Sequence, residues 1–98
     1  MFSALELNML DRSYFRVIGV EEDVISLESK NTHHGWYLYR PLSRSADSSH
    51  CIIFHRHEDQ VEYHKHGQAT SFKSALRQIR RHDRFQIDVR WKGRSYAD

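Results

Sequence analysis

The sequence has little of what marks a secreted, fibrous or membrane-spanning protein. Among its 98 residues are one cysteine, one proline and four glycines. A single cysteine, Cys51, excludes an internal disulfide, and we interpret it as a small buried hydrophobic residue. So little proline and glycine excludes a long linker or a low-complexity tract. No stretch approaches the ~18 consecutive apolar residues that a membrane span requires.

The start of the chain also lacks the pattern of an export signal. Met1–Asp11 contains no basic region followed by an apolar run, which is what a signal peptide requires. Together with the single cysteine, this predicts a cytoplasmic protein in a reducing compartment, with no membrane partner. The length predicts a single small domain, 1–98, whose modest core leaves no room for a deep cofactor pocket. We therefore expect no cofactor.

Charge is divided unequally along the chain, although the formal net charge is only +2. Residues 1–64 carry six basic and ten acidic side chains, a net charge of −4, whereas residues 65–94 carry nine basic and two acidic ones, a net charge of +7. This asymmetry predicts one basic surface, which favours an anionic partner.

Hydrophobic periodicity divides most of the chain into strands and one clear helix. Thr70 is a good N-cap, and apolar residues follow it at helical spacing to about His82. Alternating, β-branched or aromatic segments between polar turns indicate six strands: Tyr14–Val20, Val24–Ser29, Trp36–Arg40, His50–His57, Gln60–His66 and Phe85–Trp91. The sequence therefore predicts an α+β fold, a mainly antiparallel sheet of about five to six strands with one main helix, near 70–82, packed on one face.

The N-terminal segment fits two structures. Ser3 and Glu6 have the spacing of a capping box, which predicts a short helix to about Leu10. Leu5, Leu7 and Met9 also alternate with polar residues, which predicts a strand. The sequence alone does not decide between them.

A histidine-rich hairpin is the first candidate site. If the strands turn at Glu58-Asp59 with an even-length loop, Ile52, Phe54, Val61 and Tyr63 form the core side. The opposite, polar face would then carry the following side chains: Cys51, Ile53, His55, His57, Gln60, Glu62, His64 and His66. Four histidines on one surface could bind Zn²⁺ or Ni²⁺. Because the same alternation arises in any strand with a polar outer face, we expect no tightly bound metal. A polar or partner-facing surface and a pH-sensitive interface are the alternatives.

A basic helix is the second candidate site. Its cationic side chains, together with the arginine that follows the predicted helix, are Lys73, Arg77, Arg80, Arg81 and Arg84. No acidic residue lies between Thr70 and His82 to pair with them, and like charges four residues apart cost a few tenths of a kcal/mol each. An anionic partner would remove that cost. We name these five the basic residues of the helix.

Catalytic constellations are weak in the sequence. Cys51 with a nearby histidine could form a nucleophile and base, but its position in the apolar run Cys51-Ile52-Ile53-Phe54 favours a structural role. The sequence has no glycine-rich phosphate loop, no Gly-x-Ser-x-Gly and no zinc-protease helix motif, so no enzyme is expected. The leading hypothesis is a small non-enzymatic protein that binds nucleic acid, or an acidic surface of a nucleic-acid-handling complex, through the basic residues of the helix. The alternatives are a protein-binding inhibitor or adaptor that uses its sheet face, and a metal-binding protein that uses His55, His57, His64 and His66. The strand Tyr14–Val20 could pair with a second copy to form a homodimer.

No family is recognised. At the level of fold alone, the element order from Gly35 to His82 loosely resembles small sheet-plus-helix DNA-binding domains of the arm-binding or plant AP2 type. Strands containing one tryptophan are followed there by a helix that begins Thr70-Ser71-Phe72. Those domains present a three-stranded sheet to the DNA groove, and the resemblance implies a nucleic-acid partner.

Overall fold

Seven elements of secondary structure lie in the part of the chain that the computed structural model describes. That part comprises residues 2–40, 50–57 and 62–92, with only the backbone described from 89 to 92. The elements are α1 (Ala4–Asn8), β1 (Phe15–Val20), β2 (Val24–Ser29), β3 (Gly35–Tyr39), β4 (Cys51–Arg56), β5 (His64–Ala69) and α2 (Phe72–Lys92).

The five strands form one open antiparallel sheet in the order β1-β2-β3-β4-β5. Helix α2 packs against one face of this sheet, and we call the opposite face the open face. The predicted α+β fold with one main helix on an antiparallel sheet is confirmed.

Alternation along the central strand decides what each face of the sheet presents. Trp36 and Leu38 point under α2 and are fully buried. Tyr37 and Tyr39 point to the open face, where the Tyr37 ring stacks on that of Tyr63 at 3.9 Å between centroids. The core therefore lies between the sheet and α2, and it includes Ile79 from the helix.

Helix α1 resolves the ambiguity at the N-terminus, because both hydrogen bonds of the capping box form. The Glu6 amide donates to Ser3 Oγ at 3.1 Å and the Ser3 amide donates to Glu6 Oε1 at 2.9 Å. Glu6 also accepts two 2.8 Å hydrogen bonds from the Arg40 guanidinium, which lies just after β3. Arg40 lowers the pKa of Glu6 to about 2, so this pair ties α1 to the sheet throughout the neutral range.

The predicted strand Phe85–Trp91 is wrong, because α2 continues through Asp83 to Lys92. Asp83 is fully buried, where it accepts hydrogen bonds from Tyr14 Oη at 2.7 Å and Thr32 Oγ1 at 3.0 Å. Its carboxylate therefore bonds across the core and does not compete for the helix backbone. No proline or glycine lies between Phe72 and Gly93, so this segment contains no residue that commonly ends a helix.

The predicted faces of the histidine hairpin are reversed. Cys51, Ile53 and His55 are buried under α2, whereas Ile52 and Phe54 are half-buried on the open face. Strand β4 carries apolar residues on both faces, so its own pattern cannot choose between them. The choice comes from β3, whose buried residues pair with the same side of β4: Trp36 lies opposite His55 and Leu38 opposite Ile53.

The predicted hairpin register is also wrong. His55 pairs with His64 and Cys51 pairs with Ala69, and a bulge interrupts the ladder between Ile53 and Phe54. Strand β5 begins at His64. Four of the residues on which the prediction rested, Glu58, Asp59, Gln60 and Val61, lie outside the described residues.

Strand β1 lies at one edge of the sheet, which is the position that pairing with a second copy requires. The homodimer stays a prediction. Within the described part of the chain, neither helix has the length and apolar character to cross a membrane.

Candidate functional site

Six of the eight histidines lie close together on the side of the sheet that α2 covers, where His34 and His55 are buried and His64 and His66 are exposed. We call this group the histidine cluster; its members are His34, His55, His57, His64, His66 and His82. The ring of His55 lies at its centre, with its centroid between 4.5 and 5.8 Å from each of the other five. The cluster draws on the residue before β3, on β4 and its end, on β5 and on α2.

Strand pairing places the centre of the cluster. Trp36 on β3, His55 on β4 and His64 on β5 lie opposite one another across three neighbouring strands. The indole of Trp36 stacks on His55 at 4.3 Å between ring centroids, and its Nε1 donates to Ser29 Oγ at 3.1 Å. His55 is thereby held flat against the most deeply buried aromatic side chain of the core.

Two histidines enter the cluster from outside the hairpin. His34 precedes Trp36 by two residues, so it shares the buried face of that strand, and it is fully buried. The turn before it places His33 at a φ of 62°, and the exposed His33 points away from the cluster. His82 follows Ile79 by three residues and continues the buried stripe of α2. The ring centroids of His82 and His55 are 4.5 Å apart.

A chain of nitrogen-to-nitrogen contacts runs through His55. Its Nε2 lies 2.8 Å from Nδ1 of His34, and its Nδ1 lies 3.4 Å from Nε2 of His64. A neutral imidazole has one N–H donor and one lone-pair acceptor, so His55 can donate on one side and accept on the other. The Nδ1 atom of His82 is buried and has no hydrogen-bond partner among the described residues.

Burial keeps the central rings uncharged. Desolvation, followed by the proximity of His82 and His34, lowers the pKa of His55 to about 2. Desolvation and the neighbouring histidines likewise lower the pKa of His82 to about 4 and that of His66 below its ordinary value. At neutral pH these rings carry lone pairs that are available to a metal ion, which binds imidazole only in its neutral form.

The geometry of three histidines suits a metal ion. One ring nitrogen from each of His34, His55 and His82 lies within 4.8 Å of the other two. Tetrahedral zinc with bonds of 2.0–2.1 Å to nitrogen sets neighbouring ligand atoms about 3.3 Å apart. The 2.8 Å contact between His34 and His55 is shorter than this and the upper limit of 4.8 Å is longer. The rings would therefore have to move to bring all three nitrogens to the spacing of a common ion.

His64 supplies the outer contact that a metal-binding histidine usually has. A coordinating imidazole commonly hydrogen-bonds through its second nitrogen, which holds the ring in place. His55 directs Nε2 toward His34 and Nδ1 toward His64. The three-histidine group therefore has an oriented central member.

The predicted basic residues of the helix are all exposed, and four of them line two different cavities, whereas Lys73 lines neither. The Arg80 guanidinium lies 3.5 Å from Asp11 Oδ2 and 4.3 Å from the ring centroid of Tyr14. Arg80 and Arg84 line a cavity beside Tyr14. A second cavity lies beside the histidine cluster, and its lining includes Arg77, Arg81, His66 and His82.

The predicted histidine site contained four members of the cluster and missed His34 and His82. Strand alternation could have revealed His34, because His34, Trp36 and Leu38 are spaced two residues apart. Helical spacing could have revealed His82, because it continues the stripe of Leu76 and Ile79. Cys51 is fully buried as interpreted, and burial raises the pKa of its thiol, which does not suit a nucleophile.

Comparison with known proteins identifies no relative: no protein family, no curated protein and no solved structure matches the chain.

Proposed function

We propose that this protein binds one divalent transition-metal ion, of the class of Zn²⁺, Ni²⁺ or Cu²⁺, through His34, His55 and His82. The observation that carries the proposal is the mutual approach of their ring nitrogens, all within 4.8 Å. The three side chains come from separate parts of the sequence, so no local pattern such as strand alternation accounts for their meeting.

The chemistry of the group selects this class of ion. Imidazole nitrogen suits zinc, copper and nickel, whereas magnesium and calcium prefer oxygen ligands. Within the described residues, the three ligands include no carboxylate. The Nδ1 atom of His82 is buried with no hydrogen-bond partner among the described residues, and leaving a buried polar atom unpaired costs free energy. A bound ion that used such lone pairs would offset that cost.

The expectation that no metal is tightly bound rested on histidines that alternate on a solvent-facing sheet surface. The structure instead places His55 under α2 with an exposure of 2%. A polar sheet surface does not explain why His34 and His55 are buried against each other. Their burial follows if their ring nitrogens serve as metal ligands.

Titration with Co²⁺, a spectroscopic substitute for zinc, tests the proposal. We expect one ion per chain and the intense visible absorption of a low-coordinate Co²⁺ site, displaced by Zn²⁺. His82→Gln should weaken binding by more than about tenfold, because loss of even an outer-contact residue costs a metal site 10–100-fold. His33→Gln is the matched control: it removes an exposed histidine adjacent to His34, and it should bind as the wild type does.

Circular dichroism should show that both variants are folded. His34→Gln provides a second loss of a ligand, on a different element from His82. If His34→Gln and His82→Gln both retain tight one-to-one binding, the three-histidine site is refuted.

A second function is proposed on a separate observation, the exposure of the basic residues of the helix. Among the described residues, Arg77 and Arg81 form no ion pair with a carboxylate. They are one turn apart on α2, where like charges repel by a few tenths of a kcal/mol. Contact with the phosphates of nucleic acid, or with an acidic protein surface, would offset that repulsion. The alternative of an inhibitor or adaptor that uses the sheet face stays a prediction.

Fluorescent DNA and RNA titrations over a range of salt concentrations test this second function. The wild type should bind more weakly as salt rises, and Arg77→Ala should lower the slope of log affinity against log salt by about one, similarly for different sequences. Arg16→Ala is the matched control, since Arg16 pairs with Glu28 on the open face at 2.8 Å. An absence of binding at low salt, or equal effects of both substitutions, would contradict it.

A further inference from the structure

The cavity beside the histidine cluster joins the proposed metal site to two arginines. It has a volume of about 470 Å³ and lies along α2, next to His66 of β5. Its lining includes His66 and His82 together with Arg77 and Arg81, and both arginines are exposed, as is His66. A ligand in this cavity would contact the cluster and the arginines at once.

A three-histidine site leaves room for one more ligand. Zinc bound by three protein side chains keeps its fourth position for water or for a substrate atom. Within the described residues, the group of mutually close ligands comprises only His34, His55 and His82. His82 is the one of the three that also borders the cavity, so a fourth ligand would reach the ion from that side.

Arg77 and Arg81 indicate the charge and shape of that molecule. Guanidinium groups present N–H donors in a planar fork that matches the oxygens of phosphate. The two arginines lie one turn apart and form no ion pair within the described part of the chain. Gln78, which lies between them in sequence, is held by a 3.0 Å hydrogen bond from its Nε2 to the Gln68 carbonyl, so this wall of the cavity is anchored to β5.

We infer that the cavity binds a phosphate-type oxyanion, with one oxygen on the open position of the metal ion and others on Arg77 and Arg81. The inference rests on the proposed metal site. It explains why the three histidines of the proposed metal site and an exposed pair of arginines occur side by side, because the ion and the arginines together would neutralise the anion. The volume lies within the range of small-molecule sites, which suits inorganic phosphate or a small phosphate monoester.

Calorimetric titration of inorganic phosphate into the Zn²⁺-loaded and the metal-free protein tests the inference. We expect binding to the loaded protein and at least about tenfold weaker binding to the metal-free protein, and phosphate should change the visible spectrum of the Co²⁺-loaded protein. Arg77→Ala and Arg81→Ala should each weaken phosphate binding by about tenfold or more without changing the metal stoichiometry. Arg84→Ala, on the same helix but beside the other cavity, is the matched control and should bind as the wild type does.

Titration with a single-stranded oligothymidylate distinguishes a site for small phosphates from a surface that binds the phosphates of nucleic acid. Metal-dependent binding of inorganic phosphate supports the inference. Binding of the oligonucleotide alone, with equal affinity in both metal states, overturns it and leaves a basic nucleic-acid surface. A protein that binds Zn²⁺ but not phosphate, or phosphate with no effect of either arginine, overturns the inference and leaves the metal site intact. A protein that binds no metal overturns both.

Discussion

Replacing Trp36 with alanine is expected to lower the free energy of unfolding by about 3–5 kcal/mol, the range for removing a buried aromatic side chain. Trp36 is fully buried. Its ring stacks on His55 and makes edge contacts with His66 and His82 at centroid distances of 5.4 and 5.2 Å. The substitution would leave a cavity at the centre of the histidine cluster and would remove the hydrogen bond to buried Ser29.

Urea denaturation followed by far-ultraviolet circular dichroism measures this effect. Tyr37→Ala is the matched control, because Tyr37 is the next residue on the same strand but points to the open face with an exposure of 37%. Tyr37→Ala should lower the free energy of unfolding clearly less than Trp36→Ala does, by an amount nearer the typical ~1 kcal/mol of a point substitution. Equal costs at the two positions would show that α2 and the cluster do not form the main core.

Zinc is expected to raise the thermal midpoint by about 10–20 °C when its free concentration is ~100 times its dissociation constant. At that excess, binding to the folded state alone adds about 2.7 kcal/mol to the free energy of unfolding. A domain of this length shifts by roughly 4–8 °C per kcal/mol. His82→Gln should abolish the shift, and His33→Gln should preserve it, as measured by differential scanning calorimetry with and without the ion.

Acid should weaken the zinc-loaded protein for two reasons of the same sign. Protons compete with the ion for imidazole, so metal affinity falls as pH falls. The folded state also keeps His82 neutral down to a pKa of about 4, whereas the unfolded chain takes up that proton near 6.5. The metal-free protein is therefore fully stabilised above about pH 6.5, and it loses stability as the pH falls from there toward 4.

The stabilisation that the ion provides is measured as the difference between the thermal midpoints of the zinc-loaded and the metal-free protein at each pH. We expect this difference to shrink steadily between about pH 7 and pH 5. A zinc-induced shift that is the same at both pH values would mean that the ion binds to groups other than histidine, and it would contradict the proposed ligands.

Local pattern was sufficient to predict most of the elements. The β-branched and aromatic residues of Tyr14–Val20 and the stripe Phe72–Ile79 each act within a few residues of sequence, and the structure contains the corresponding strand and helix. At the N-terminus the capping box of Ser3 and Glu6 competed with an alternating pattern, and only the structure decided for the helix. The same reasoning failed at Phe85–Trp91, because an alternating run is compatible with a helix when no glycine or proline stops it. Asp83 looked like a break in sequence, and only contacts with Tyr14 and Thr32 make it a buried helix residue.

The sequence alone predicted part of the histidine cluster. Alternation correctly grouped His55, His57, His64 and His66, because residues two apart share a face of a strand whichever face it is. Which face α2 covers depends on the pairing of β4 with β3, where Trp36 lies opposite His55. That pairing joins residues about twenty positions apart, and no local pattern records it. Of the four histidines predicted to be exposed, His55 is in fact buried in the core, whereas His64 and His66 are exposed.

The sequence by itself determined the class of fold, the positions of the first four strands to within one residue at each end, the existence of a helix rich in arginine and the presence of a histidine-rich hairpin. These follow from periodicities of two and 3.6 residues and from composition. Only the tertiary structure decided the register of β4 with β5, the full length of α2 and the meeting of His34, His55 and His82. Those depend on the packing of α2 over three neighbouring strands, since burial of a common apolar face is a property of the assembled elements and of none of them alone.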